Sequence, residues 1–361
     1  MKDTILIELP RLREAMRMLV RGFGSTAQEV DAVVDNLVEA NLQGHDSHGI
    51  GMLPRYVNAY REGNLRPNAH VDVTLDLGHL LRLDGQCGFG QVIGVEAMAL
   101  GIQRAGQHGS CIIALGNTHH LGRIGAWAEQ AAQAGLISIH FVNVVSRAIV
   151  APFGGGDARF GTNPFCVGIP LSDQPPVILD FATSVIAQGK TRVAYNKGET
   201  LEPGCLIDDQ GHPTQDPRYS VVPPLGALLT FGAHKGSGIA LVCELLGGAL
   251  AAGMTQRDHD SSLQRVLNGM LSILIDPQML GAQARFESEA DAFLRWMKAS
   301  PPREGFGPVL AAGEPERVRK AERSAQGVPV DATSWREILD AGQLLGIART
   351  DLERTAGLRS D

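Results

Sequence analysis

Residues 81–94 read LRLDGQCGFGQVIG. A β-type run, Leu81–Asp84, gives way to glycines at 85, 88, 90 and 94, and a helical pattern runs from Val92 to Ala105. This is the outline of a dinucleotide-binding turn, but the detail does not fit. Gly88, Gly90 and Gly94 space as Gly-x-Gly-x-x-x-Gly, and the next β-type run ends at Ala114–Asn117 without the Asp or Glu that would hold a ribose hydroxyl. The stretch is therefore read as a structural turn in an α/β protein outside the Rossmann class.

Outward from this turn, further β-type runs (SCIIALG, LISIHFVNVV, FCVGIP, PVILDFA, MLSILIDP) alternate with helical patterns at Ile124–Ala134 and His234–Ala252. The alternation predicts an α/β domain over 76–285 with a mixed sheet. The ends differ. From Ser25, a capping-box spacing (Ser25, Gln28) precedes Val30, Val33, Val34, Leu37 and Val38, and the pattern stops at Gly44. Ile50–Glu62 places Leu53, Tyr56, Val57 and Tyr60 on one side before Gly63. Residues 286–361 carry 24 charged residues in 76 and three helix patterns: SEADAFLRWMKAS, PERVRKAERSAQG, and a stretch from Ser334 capped by Glu337. Residues 1–75 and 286–361 are predicted to form one helical domain.

Of 43 glycines, 27 lie between Gly85 and Gly253, which assigns them to turns and close approaches in the sheet domain. The formal charge of −7 and the lack of a basic run argue against nucleic acid. Five scattered cysteines without a Cys-x-x-Cys pair read as core residues of a reducing compartment. The longest apolar stretch, Ile239–Met254, is broken by Glu244 and too short to span a bilayer, and no signal-peptide core is seen, so the expectation is a cytoplasmic protein without a membrane partner.

Four segments concentrate chemistry. GHDSHG (44–49) gathers His45, Asp46, Ser47 and His48 between two helices; histidine suits proton transfer near neutral pH, and helix capping by Asp46 or Ser47 explains the same residues equally well. GNTHHLGRIGAWAEQAAQAG (116–135) brings His119, His120 and Arg123 to a strand-to-helix turn suited to an anion. APFGGGDARFGTNP (151–164) carries Thr162 and Asn163, and FGAHKGSGIALVCELLGG (231–248) carries His234 and Lys235. Each has the alternative of a packed glycine turn. Asp180 stands at the end of a β-type run, as a ligand contact or a helix cap. No Gly-x-Ser-x-Gly elbow is present, which sets serine hydrolysis aside.

In this order, HDSHGIGMLPRYV, NTHHLGRIGAWAEQAA, RFGTNPFCVGIP, LDFATSVIAQGKTRVA and FGAHKGSGIALVCELLGGAL resemble the malate/L-lactate dehydrogenase family, which is unrelated to the Rossmann enzymes, and the likeness runs over essentially the whole chain. The resemblance is strongest to its hydroxycarboxylate dehydrogenase branch. It implies a homodimer that moves hydride between NAD or NADP and C2 of a 2-oxo acid such as phenylpyruvate or 2-oxoglutarate. His48 would be proton donor, with Ser47 as its partner, Thr162 near the substrate and His120 as the reserve acid/base. It further implies cofactor contacts at His48, His120, Gly122, Arg123, Ile124, Ile178, Leu179, Asp180, Phe181, Ala182, His234, Asn268, Gly313, Glu314, Pro315 and Glu316.

Two departures bear on specificity. Many members carry Arg where this chain has Met52, leaving Arg55 and Arg147 to hold a substrate carboxylate. Lys190 stands where the piperideine-carboxylate branch has an acid, which favours a keto acid over a cyclic imine. Alternatives are a malate/lactate or ureidoglycolate enzyme of the same family, a metal-dependent hydrolase or lyase using His45, His48, His119 and His120, and a catalytically retired nucleotide sensor. No resident metal is expected under the leading reading.

Overall fold

The computed structural model describes residues 4–258, 260 and 265–358. Strand β1 (Thr4–Ile7) leads into helices α1 (Leu9–Arg21), α2 (Ala27–Leu42) and α3 (Leu53–Arg61), with single 3-10 turns at Asp46–His48 and Ile50–Met52 between the last two. The chain then forms β2 (Asp72–Asp76), β3 (Leu80–Asp84), α4 (Gly90–His108), β4 (Ser110–His119), α5 (Gly125–Gln133), β5 (Ile137–Val145), β6 (Phe165–Ile169) and β7 (Val177–Phe181). An excursion follows through α6 (Gln188–Lys197), β8 (Leu206–Ile207), β9 (Pro213–Thr214), α7 (Arg218–Val221) and β10 (Ala227–Leu228). Helix α8 (His234–Cys243) runs on as a π-helical segment, Glu244–Leu250, before β11 (Leu267–Ile275). The tail supplies α9 (Gln283–Lys298), α10 (Glu314–Gln326), β12 (Val328–Asp331), α11 (Ala332–Leu344) and α12 (Arg349–Thr355).

Seven strands form one mixed sheet in the order β2-β3-β4-β11-β5-β6-β7, in which only β3 and β4 run parallel. The parallel pair is joined through α4, and the remaining neighbours are antiparallel, so the sheet is not the parallel array of a Rossmann fold. Alternation along β4 sends Cys111, Ile113 and Leu115 into the core beneath α4 and α5, together with Ile93 and Trp127. Ile112 and Ala114 face the opposite layer, where Ala251 and Leu271 pack. Covering both faces explains why β4 and β11 read as nearly continuous apolar runs.

The two chain ends fold together. β1 pairs antiparallel with β12, Thr4 opposite Asp331 and Ile7 opposite Val328. Trp335, Ile338 and Leu339 of α11 share a buried core with Leu12, Met16, Leu37 and Tyr56. Three expectations are corrected. Strand β2 starts at Asp72 and joins the large sheet, on the N-terminal side of the expected boundary at 75/76. Helix α9 begins at Gln283 and has no buried residue, so it is not part of the helical core. The caps also sit elsewhere: Thr26, not Ser25, caps α2 by accepting the Glu29 N–H, while Ser25 Oγ bonds the Glu29 carboxylate at 2.6 Å. Asp331, not Ser334, caps α11 by accepting the Ser334 N–H at 2.9 Å. In both cases the residue just before the first helical turn, Thr26 or Asp331, is the one whose oxygen reaches the free N–H.

The glycines of the opening turn are packing residues. A Cβ on Gly94 would stand 2.5 Å from the Trp127 ring of α5, and one on Gly90 would stand 2.2 Å from the His120 carbonyl oxygen. Replacing a mid-helix glycine by alanine gains up to about 1 kcal/mol in helix propensity, whereas overpacking costs about 1–3 kcal/mol. Gly94→Ala and Gly90→Ala are therefore expected to lower unfolding free energy in urea titrations by roughly 1–2 kcal/mol. An unchanged or raised midpoint would show that the helices are not in contact as described.

Candidate active site

The end of β4 and the loop after α2 meet. His48 Nδ1 lies 3.3 Å from His120 Nε2, and the two rings stack with centroids 5.4 Å apart and 12° between planes. His120 Nδ1 is 2.7 Å from the hydroxyl of Tyr56, on the buried side of α3. The Gln91 amide nitrogen, on the first turn of α4, lies 2.9 Å from that hydroxyl and 3.4 Å from the His120 carbonyl. His119 is buried with both ring nitrogens unpartnered, its ring edge-on to Tyr56. Sequence patterning placed Tyr56 on an apolar face and passed over Gln91; a polar atom at the end of an otherwise apolar stripe was the available signal.

The loop that carries His48 is held from two directions. Asn41 donates to Asp46 at 2.7 Å and accepts the Ile50 N–H at 2.8 Å. Arg323 of α10 clamps the Asp46 carboxylate with bonds of 2.7 and 3.1 Å and also donates to the Asn41 carbonyl. Ser47 is exposed, and its Cβ abuts Gly189 of α6. The ring partner of His48 is thus His120, not the expected Ser47, because the 3-10 turn at Asp46–His48 directs the Ser47 side chain toward α6.

All the titratable groups here are driven toward neutrality or crowded by like charge. Burial, then repulsion from His45 and Arg123, lowers His48 to about 4. Burial and then Arg55 lower His119 to about 3. His120 falls well below its ordinary value, through burial first and then His48, His119 and Arg55. Desolvation followed by Arg192 depresses Arg55, and desolvation followed by Arg55 depresses Arg147. Among the described residues neither Arg55 nor Arg147 has a carboxylate partner. Both arginines are exposed, and Arg55 is the one whose charge reaches His119 and His120.

Five of the expected cofactor contacts, Arg123, Ile178, Asp180, Gly313 and Glu316, line one crevice beside this cluster, together with Gln43, His45 and Glu129. Asp180 accepts the Gly125 N–H at 2.7 Å, so it closes the first turn of α5 rather than capping the helix after β7. Burial raises its pKa, against the lowering effect of that bond. Arg123 is paired with Glu129, and His45 lies 3.6 Å from Glu316. Gly313, at φ +90°, precedes Glu314 and Pro315 at the start of α10, and its neighbour Ala312 accepts the Ile178 N–H. Gln43 Oε1 is a buried acceptor without a partner at this narrow crevice, an atom with which the carboxamide N–H of a nicotinamide could pair.

Other expected contacts fall elsewhere. Asn268 is buried with both polar atoms committed, accepting the Leu121 N–H and donating to the Asn143 carbonyl, both at 2.8 Å, so it anchors the histidine turn rather than reaching a ligand. Gly122 lies in that turn at φ +73°, and Ile124 is buried beside it. The Thr162 carbonyl accepts both Thr183 donors at 2.9 Å. His234 is exposed against Phe153, and Leu179, Phe181 and Ala182 lie along the accessible end of β7. Lys190 is exposed on α6. The four histidines of the metal-hydrolase alternative do not converge: among the described residues no three His, Cys, Asp or Glu side chains are grouped to hold an ion. Nor is any described helix long and apolar enough to cross a membrane.

Comparison with known proteins agrees with this geometry. The family model described as malate/L-lactate dehydrogenase matches residues 7–339. Hydroxycarboxylate dehydrogenase B of Escherichia coli K12 is 49% identical over 95% of both chains. A solved structure of a putative malate/lactate dehydrogenase from E. coli superposes with a TM-score of 0.94 at 48% identity, covering 98% of this chain and 99% of that one. The sulfolactate dehydrogenase of Methanocaldococcus jannaschii superposes at 0.85 and 30% identity, covering 96% and 99%. With its mixed sheet, its paired histidines and this match over nearly its full length, the chain belongs to the malate/L-lactate dehydrogenase family and is an oxidoreductase acting on hydroxy acids.

Proposed function

We propose that the protein reversibly reduces 2-oxo acids to 2-hydroxycarboxylates with NAD or NADP, and that His48 holds the proton at the carbonyl oxygen. One observation supports this above the rest: a neutral His48/His120 pair, with Arg55 near His120 and lacking a carboxylate partner among the described residues. Bound, the nicotinamide would supply hydride at its C4. Gln43, Arg123, Asp180, Gly313 and Glu316 are the residues that would hold the cofactor.

Arg55, with Arg147 behind it, would orient the substrate carboxylate. That anion works against the burial and the neighbouring charges that keep His48 and His120 neutral, so binding and protonation favour one another. Met52, half-buried against the helical core, puts an apolar group where many relatives carry Arg. This favours phenylpyruvate and other substrates with an apolar far end; 2-oxoglutarate would call on Arg147 for its second carboxylate.

The surface supports the homodimer. A compact monomer of 38.5 kDa exposes about 14,000 Å². This chain exposes 17257 Å². The surplus of roughly 3,000 Å² per chain would amount to about 6,000 Å² over two copies, at the upper end of what an obligate interface removes. Leu241, Leu245 and Leu250 form an uncharged outer stripe on α8 and its π-helical extension, each about half exposed or more, and Phe293 and Trp296 of α9 are 60% and 74% exposed. A second copy of the chain is the occupant these faces fit.

Loss of NADH or NADPH absorbance with a panel of 2-oxo acids tests the activity, and no turnover on any of them would refute it. His48→Gln is expected to lower kcat by about 10²–10⁴-fold with cofactor affinity little changed; a retained kcat would move the proton to His120. The free His48 ring titrates near 4 and an anion beside it must raise that value. Binding of oxamate to the NADH complex should therefore take up protons, with affinity rising as pH falls from neutral and flattening toward 4. Calorimetry in two buffers of different ionisation enthalpy reads this directly, and affinity indifferent to pH would place the carboxylate away from the pair. Light scattering after gel filtration should give twice the chain mass, and a monomer would remove the covering role assigned to the second copy.

A further inference from the structure

We infer that Tyr56 and Gln91 are positioning residues that fix the tautomers of His120 and His48, so that His48 presents Nε2–H to the oxygen of the substrate. The inference rests on the proposed reading of His48 as the group facing a 2-oxo acid, and it adds what sets the proton on that ring.

The direction of each hydrogen bond follows from the one before it. The His120 carbonyl can only accept, and a side-chain amide atom of Gln91 lies 3.4 Å from it, so that atom is the NH₂ group. The same nitrogen is 2.9 Å from the Tyr56 hydroxyl and donates to its oxygen. Tyr56 is fully buried, and burial raises its pKa, so the phenol keeps its proton. With Gln91 on its acceptor side, the acceptor at hand for that proton is His120 Nδ1, 2.7 Å away. Were Nδ1 to carry a hydrogen, the phenol proton would be buried and unpaired, which burial makes costly.

A neutral His120 that accepts at Nδ1 carries its hydrogen on Nε2, and that atom faces His48 Nδ1 at 3.3 Å. His48 Nδ1 therefore accepts in turn, and a neutral His48 holds its hydrogen on Nε2. This last nitrogen has no hydrogen-bond partner among the described residues. Four residues from four segments, α4, α3 and the two histidine loops, thus make one directed chain that ends at an unused donor. Packing holds its middle member still: the Tyr56 ring meets His119 at 84° and Phe89 at 64°, with centroids 5.1 and 5.9 Å away.

The resting Nε2–H can hold a ketone oxygen by a hydrogen bond, whereas an alcohol would need a bare Nε2. Transfer of that proton to the alkoxide is balanced by the proton His48 takes up at Nδ1 when the anion binds, so the ring never becomes an imidazolate. The wrong tautomer of a catalytic histidine disables proton transfer while leaving the ring in place.

Nitrogen NMR of protein labelled with ¹⁵N-histidine, its signals assigned through His48→Gln and His120→Gln, is expected to show both rings neutral and protonated at Nε2 at neutral pH. Tyr56→Phe retains the ring packing and removes only the hydroxyl. It should shift His120 and His48 toward the Nδ1–H form and lower kcat for reduction by about 10²-fold, with KM and cofactor affinity within about two-fold. Gln91→Met, which frees the hydroxyl to rotate, should give a mixture of tautomers and a smaller loss. Finding His48 protonated at Nδ1 in the unaltered protein overturns the inference, as do unchanged tautomers in both variants. The tautomer measurement needs no substrate, so an enzyme that turned over no 2-oxo acid would refute the proposed activity and leave this inference to be decided on the spectra.

Discussion

The first turn of α4 lies directly on the backbone of His120 and Leu121, and the site is built around that contact. A side chain at position 90 would occupy the space of the His120 carbonyl, so a glycine is the one residue that lets the helix approach this far. The approach brings the next residue, Gln91, within reach of both that carbonyl and Tyr56. It also fixes the height at which β4 ends. From below, Asn268 of β11 holds the Leu121 N–H at 2.8 Å, so the turn that carries the histidine pair is gripped between a helix and the central strand of the sheet. A strand end clamped on both sides leaves little freedom in its rings, which suits a site in which small displacements of a proton donor are costly.

Electrostatics completes what packing begins. A protonated imidazole in this cluster would sit among Arg55, Arg123 and a second histidine, and burial removes the water that would screen them. The empty cluster answers by staying neutral. An anionic substrate changes the balance with one charge, and the site can then hold the proton that the reaction consumes. Under the proposed function, charge would be gathered when the carboxylate arrives, and neutral carbonyl compounds would lack that contribution.

Much of this architecture was legible in the sequence, and the illegible parts share a cause. Alternation and helical spacing located six strands of the large sheet, because each carries an apolar run with buried residues, nearly continuous in β4 and β11, which are covered on both faces. They missed β2, whose residues are all exposed and which holds its place by edge pairing with β3 alone. The failed glycine fingerprint at 88, 90 and 94 correctly excluded a Rossmann turn, yet its positive meaning, backbone contact with a histidine turn 30 residues later, has no local signature. Family resemblance brought Arg123, Ile178, Asp180, Gly313 and Glu316 together, and they do line one crevice. It misdirected Ser47 and Asn268, which lie next to the chemistry in sequence or space but whose side chains are turned to α6 and to backbone groups. Tyr56 and Gln91 were passed over because each lies on a stripe whose other members are core residues.

The tail shows why the two ends of the chain must fold as one unit. Arg323 reaches from α10 to the Asp46 carboxylate, some 277 positions earlier in sequence, and Glu316 of the same helix stands near His45. The loop carrying His48 has no strand or long helix of its own, only a single 3-10 turn, so its position depends on these contacts and on Asn41. Helix α10 has no buried residue to anchor it by packing. It is fixed at its far end where Gly327 leads into β12, which pairs with β1 and draws α11 into the N-terminal core. A sheet domain with helices only at its N-terminus would leave the His48 loop held by Asn41 alone and the crevice open on the side of Gly313. Closing the chain on itself through β1 and β12 supplies that wall and ties the histidine loop to the same helix that borders the crevice.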